Sequence, residues 1–86
     1  MAYRIVYKKS VARDLSKIDK AAARRILNRL EKDLAEKPES YPALKGKFAG
    51  LRKYRIGEYR VIYAIIAAEV QVLRIGNRRD IYKQEI

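Results

Sequence analysis

Apolar positions along the chain follow two rhythms, one of a strand and one of a helix. Tyr3-Arg4-Ile5-Val6-Tyr7 is β-branched and aromatic and predicts a first strand. Val11, Leu15 and Ile18 then recur at helical spacing, predicting a short helix with Ser10 as its cap. A second cap is expected at Asp19. After it Ala22, Ala23, Ile26, Leu27, Leu30 and Leu34 return every three or four residues, the stripe of an amphipathic helix that ends near Pro38. Residues 38–50 hold both prolines and two of the four glycines, and predict a loop. Three strands are expected beyond it, over 51–56, 59–66 and 70–75. Gly57-Glu58 joins the first two as a two-residue turn with Gly in the first central position, the II′ pattern. Residues 77–86 read as a short terminal helix or an extended tail. The order β-α-α-β-β-β plus that addition predicts an α+β fold, with two helices packed on a mainly antiparallel sheet. No linker, repeat or low-complexity stretch divides the chain, so residues 1–86 are expected to form a single two-layer domain.

Composition adds what the pattern leaves out. Of 86 residues 49% are apolar, too many for a disordered basic tail, yet 21 Lys and Arg against 10 Asp and Glu leave a net charge of +11. Such an excess concerns partners more than fold and points to an anionic one. The absence of Cys excludes disulfides and thiolate metal sites. The absence of His removes the commonest general base and every Ser-His-Asp arrangement. No convincing metal-ligand cluster is read in the chain, and no cofactor is expected. The longest apolar run, residues 61–68, has eight residues, too few for a membrane span. Met1-Ala2-Tyr3-Arg4 reads as the start of a structured chain rather than a secretory signal, and a cytoplasmic protein is expected.

The positive charge is not uniform. Residues 1–40 mix 11 basic with 6 acidic side chains, as an ordinary helical surface does. Residues 45–60 carry Lys45, Lys47, Arg52, Lys53, Arg55 and Arg60 against Glu58 alone. With Gly57-Glu58 as the turn, residue 56 faces 59, 55 faces 60, 54 faces 61 and 53 faces 62. Tyr54, Ile56, Tyr59 and Val61 then share the core side, and Lys53, Arg55 and Arg60 share the other. Arg55 directly across from Arg60 is a like-charge pair that costs about 0.2–1 kcal/mol. It suits either an exposed face with splayed side chains or an anion site, for which Arg supplies a planar fork of donors and Lys a point charge. A second cluster follows in Arg74, Arg78, Arg79 and Tyr82. A tyrosine among guanidinium groups is acidified, because nearby cations favour the phenolate; an anchoring core aromatic is the alternative.

These residues resemble a known family. Leu51-Arg52-Lys53-Tyr54-Arg55-Ile56-Gly57-Glu58-Tyr59-Arg60-Val61-Ile62-Tyr63 is similar to the central hairpin of the RelE/ParE toxin superfamily, and Gly76-Asn77-Arg78-Arg79-Asp80-Ile81-Tyr82 resembles the closing motif of its RelE branch. The element order and the approach Leu44-Lys45-Gly46 match as well. The resemblance implies the toxin of a type II toxin–antitoxin pair, a ribosome-dependent mRNA endonuclease cutting in the A site without a metal. The substrate's own 2′-OH would attack, giving a 2′,3′-cyclic phosphate and a 5′-OH. It places Lys53 and Arg55 near the attacking hydroxyl and scissile phosphate. Arg60 would lie on the transition-state phosphate, Arg78 or Arg79 near the leaving 5′ oxygen, and Tyr82 at the general-base position. Lys45, Lys47, Arg52, Arg74 and Arg79 are the expected substrate-binding cations. Two departures matter: Asn77 stands where many relatives have His, and Arg55 where some have Lys. Arg is a poor proton acceptor, so Lys53 or Tyr82 would be the base. The spacing from Arg78 to Tyr82 is also shorter than in some relatives.

The implied partners are a cognate RelB-like antitoxin, the ribosome and its mRNA, with promoter DNA bound only through the antitoxin complex and no membrane. Two further readings stand beside the endonuclease. One is a ParE-like toxin that inhibits DNA gyrase without cutting RNA. The other is a non-catalytic module that binds RNA or the ribosome.

Overall fold

The computed structural model describes residues 3–46 and 49–77. Its elements follow the expected order: β1 (Arg4–Tyr7), α1 (Lys9–Ser16), α2 (Lys20–Glu36), a 3₁₀ turn at Pro38–Ser40, β2 (Arg52–Ile56), β3 (Tyr59–Ile66) and β4 (Glu69–Asn77). The strands form one sheet in the order β1-β4-β3-β2. β1 runs parallel to β4 and the other neighbours are antiparallel.

Local chemistry accounts for the helix boundaries. Asp19 caps α2 as expected, its carboxylate accepting from the Ala21 and Ala22 amides at 3.2 and 3.4 Å. Pro38, which cannot extend a helix, follows its end. Ser10 departs from expectation. The cap position of α1 is Lys8, with no side-chain bond, and Ser10 instead donates from Oγ to the Leu73 carbonyl at 2.6 Å. The hydroxyl is spent on the sheet because α1 lies along the edge of β4.

Ile26, Leu30 and Leu34 are the deepest positions of the α2 stripe, and each is fully buried. With Val11 they meet Tyr54, Ile56, Val61, Tyr63, Val70, Val72 and Ile75 from one face of the sheet. The β2–β3 register is the expected one, from Ile56 opposite Tyr59 to Lys53 opposite Ile62. Gly57 has φ +58° while Glu58 is not left-handed, which fits a II′ turn and not a I′ turn.

The β3–β4 ladder carries one irregularity. Tyr63 pairs with Val72 and Ile62 with Arg74, so Leu73 is an extra residue in β4. Strict alternation from Val70 and Val72 would send residue 74 toward the helices. The bulge shifts the phase, so Ile75 joins the core and Arg74 turns to the opposite face beside Ile62.

Candidate functional site

The face of the sheet away from α2 is built in rows. Lys53, Ile62 and Arg74 lie side by side on β2, β3 and β4, and the next row is Arg55, Arg60 and Gly76. With strands ~4.8 Å apart, each row spans about 10 Å, and four cations share two neighbouring rows. Ile62 is fully buried yet outside the helix-packed cluster, an apolar position between the stems of Lys53 and Arg74. Gly76 adds no side chain beside Arg60.

Arg55 is exposed, and its Nε donates to the Gly57 carbonyl at 3.2 Å, which folds the guanidinium toward the turn. Arg74 is held from the side by Asp14. Nε donates to Oδ2 at 2.8 Å and an Nη to Oδ1 at 2.9 Å, and the carboxylate raises the arginine's pKa still further. Asp14 is the residue the sequence reading missed. An acid three residues after Val11 and four before Ile18, on the apolar stripe of the helix, is the signal for it in the sequence.

Not all the expected cations converge. Arg52 lies on the other side of β2, in phase with Tyr54 and Ile56, and donates to the Glu39 and Tyr41 carbonyls at 3.0 and 2.7 Å. It fastens the loop after α2 rather than facing the cationic rows. Lys45 is exposed in the loop that runs beside β2, where the Leu44 amide reaches the Leu51 carbonyl at 2.8 Å. Lys47, Arg78, Arg79 and Tyr82 lie outside the described residues, as does the expected terminal helix or tail beyond Asn77.

The core tyrosines are tuned against proton abstraction. Tyr54, buried, donates to the Asp33 carboxylate, and burial together with that acid pushes its hydroxyl up to about 12. Tyr63 donates to the Pro38 carbonyl at 2.6 Å, and burial pushes it up as well. Among the described residues no three His, Cys, Asp or Glu side chains group to hold a metal ion. None of the described helices is long and apolar enough to cross a membrane.

The two-layer α+β fold is shared with solved toxins. The toxin–antitoxin complex RelBE2 of Mycobacterium tuberculosis contains a chain 26% identical to this one, with a TM-score of 0.83, covering 91% of this chain and 100% of its own. The archaeal RelE–RelB complex of Pyrococcus horikoshii gives 30% identity, 93% and 99% coverage and a TM-score of 0.69. The chromosomal ParDE system of P. aeruginosa shares the fold at 17% identity, with 88% and 96% coverage and a TM-score of 0.73. No curated protein sequence matches. The family described as the ParE toxin of type II toxin–antitoxin systems, parDE, matches residues 5–82. The chain belongs to that family, within the RelE/ParE superfamily of type II toxins.

Proposed function

We propose that this toxin is a ribosome-dependent mRNA endonuclease that needs no metal, with an antitoxin as its inhibitory partner. The observation that carries this is the pair of rows placing Lys53, Arg55, Arg60 and Arg74 on one sheet face. A gyrase inhibitor that acts by binding has no need of such a set. Cleavage proceeds by attack of the substrate 2′-OH on the adjacent phosphorus. The 2′-O–P bond forms, the P–O5′ bond breaks, and a 2′,3′-cyclic phosphate and a 5′-OH result. Lys53 or Tyr82 takes the 2′-OH proton, since a guanidinium cannot. Arg55 and Arg60 hold the phosphoryl oxygens as charge accumulates, a contribution worth about 10²–10³ in rate for one preorganised donor. Arg78 or Arg79 stands at the leaving 5′ oxygen as electrostatic stabiliser or acid, and that oxygen takes up a proton, from this residue or from water, to leave as the 5′-OH. The ribosome presents the message in line, and the reaction takes place in the cytoplasm. An acidic or amphipathic antitoxin segment suits the cationic face, and the relatives solved as complexes support such a partner. Promoter DNA is bound through the antitoxin complex.

A second reading, inhibition of DNA gyrase without RNA cleavage, is the one the resemblance to ParE-like toxins implies, and the match to the family described as the ParE toxin of parDE systems favours it. Induction followed by primer extension on a translated message separates the two. Wild type gives cuts within codons, which Arg60→Ala and Tyr82→Phe abolish and EDTA leaves unchanged. Intact message with trapped gyrase–DNA complexes favours the second reading.

A further inference from the structure

β1 ends its pairing with β4 at Tyr7 opposite Val72, and α1 takes over that strand edge where the bulge occurs. Three bonds close it: the Lys8 amide donates to the Val72 carbonyl at 2.9 Å, Ser10 Oγ to the Leu73 carbonyl at 2.6 Å, and the Ile75 amide to Asp14 Oδ2 at 3.0 Å. The same Asp14 carboxylate grips Arg74 through Nε and Nη, which fixes the plane of the guanidinium as well as its position. Asp14 is 7% exposed. A buried carboxylate is costly unless paired, and an Asn of the same shape could accept the Ile75 amide. Among the described residues the charge of the carboxylate is matched by Arg74. A face that works by positive charge tolerates this acid because the acid sets one of its cations.

We propose that Asp14 is a positioning residue of the cationic face, acting through Arg74 and the β4 backbone without touching substrate. It holds the phase shift that brings Arg74 beside Ile62 and carries Gly76 to Arg60. A lysine at position 74 keeps the charge and loses the two-point grip.

The kinetic part of this inference rests on the endonuclease reading. It is tested with purified chain on mRNA-programmed ribosomes, comparing wild type, Asp14→Asn, Arg74→Gln and the double variant, each corrected for folded fraction. Each single variant is expected to lower kcat roughly tenfold with KM little changed, and the double to fall no further than the worse single. Arg74→Lys is expected to resemble Arg74→Gln. Wild-type kcat in Asp14→Asn, or a double variant showing the product of both losses, overturns the proposal. A wild type that cuts no message defeats the endonuclease reading, and amide exchange then decides. In Asp14→Ala the Ile75 amide is expected to exchange at least about tenfold faster while the Leu30 amide is unchanged. Equal protection of Ile75 in both proteins overturns the positioning role whatever the enzyme does.

Discussion

The two faces of one sheet make opposite use of the same strands. Toward α2, Tyr54, Val61, Tyr63, Val72 and Ile75 are buried, and the tyrosine hydroxyls are bound by Asp33 and by the Pro38 carbonyl. Tyr41 adds an edge-to-face contact with Tyr54, ring centres 4.9 Å apart at 77°. These hydroxyls have partners and these apolar surfaces have neighbours. On the other face Arg55 stands opposite Arg60, with Lys53 and Arg74 in the next row. Stability does not require that arrangement; like charges opposite one another oppose it. Because alternate residues serve alternate faces, the cationic rows are only as fixed as the core behind them. One face supplies stability; on the endonuclease proposal, the other takes some of it for the reaction.

Weakening each face in turn tests that division. Leu30 is fully buried in the middle of the α2 stripe. Leu30→Ala should cost about 2–5 kcal/mol, read as a lower denaturant midpoint, with kcat per folded molecule unchanged. Arg60→Ala should do the converse. It should lower kcat/KM by about 10²–10³, with a smaller change in the denaturant midpoint than Leu30→Ala gives. Equal losses of stability and activity in both variants would erase the division of labour.

Much of this division is legible in the sequence, and the parts that are not have local causes. Two-residue turns fix register, so Gly57-Glu58 alone dictates that Arg55 meets Arg60 and Lys53 meets Ile62. The α2 stripe and its Asp19 cap are equally direct. The Leu73 bulge is different. Nothing in Val-Gln-Val-Leu-Arg-Ile announces an extra residue, yet it decides which face Arg74 occupies. Ser10 fits a cap by its neighbours but is claimed by a carbonyl 63 residues away, a tertiary bond that helix rules do not see. Arg52 belongs to the run of cations by sequence and to the other face by alternation, which charge counting ignores and periodicity does not.

A smaller effect tests whether the core face is as fully satisfied as its hydrogen bonds indicate. Tyr54 titrates near 10 in the unfolded chain and about 12 in the fold. Below pH 10 both states keep the proton and its stabilisation is complete. Between 10 and 12 the unfolded chain has lost a proton that the folded chain retains, so stability falls as pH rises. Tyr7 and Tyr63 are shifted in the same direction, so Tyr54→Phe should make the decline shallower without abolishing it. At neutral pH the variant should lose about 1–2 kcal/mol, the bond to Asp33. Chemical denaturation at a series of pH values between 8 and 12 measures both.

The smallest change probes the two ends of the sheet. The β2–β3 turn, at the cationic end, has Gly57 at φ +58°. The β3–β4 turn, at the far end, has Ala67 at φ +56° between the paired Ile66 and Glu69. An L-residue in the left-handed region costs about 1–2 kcal/mol, whereas Gly adopts it freely but loses about 0.5–1 kcal/mol more entropy on folding. The difference predicts that Ala67→Gly stabilises by about 0.5–1 kcal/mol, read as a higher midpoint in denaturant. Cleavage should be unaffected, because residue 67 is remote from the rows holding Arg55 and Arg60. Gly57→Ala, by the same reasoning, should destabilise by a similar amount. It should also disturb activity, since Arg55 leans on the Gly57 carbonyl and the turn sets its pairing with Arg60. If the two turns respond alike in activity, the rows near Gly57 are not where the chemistry lies.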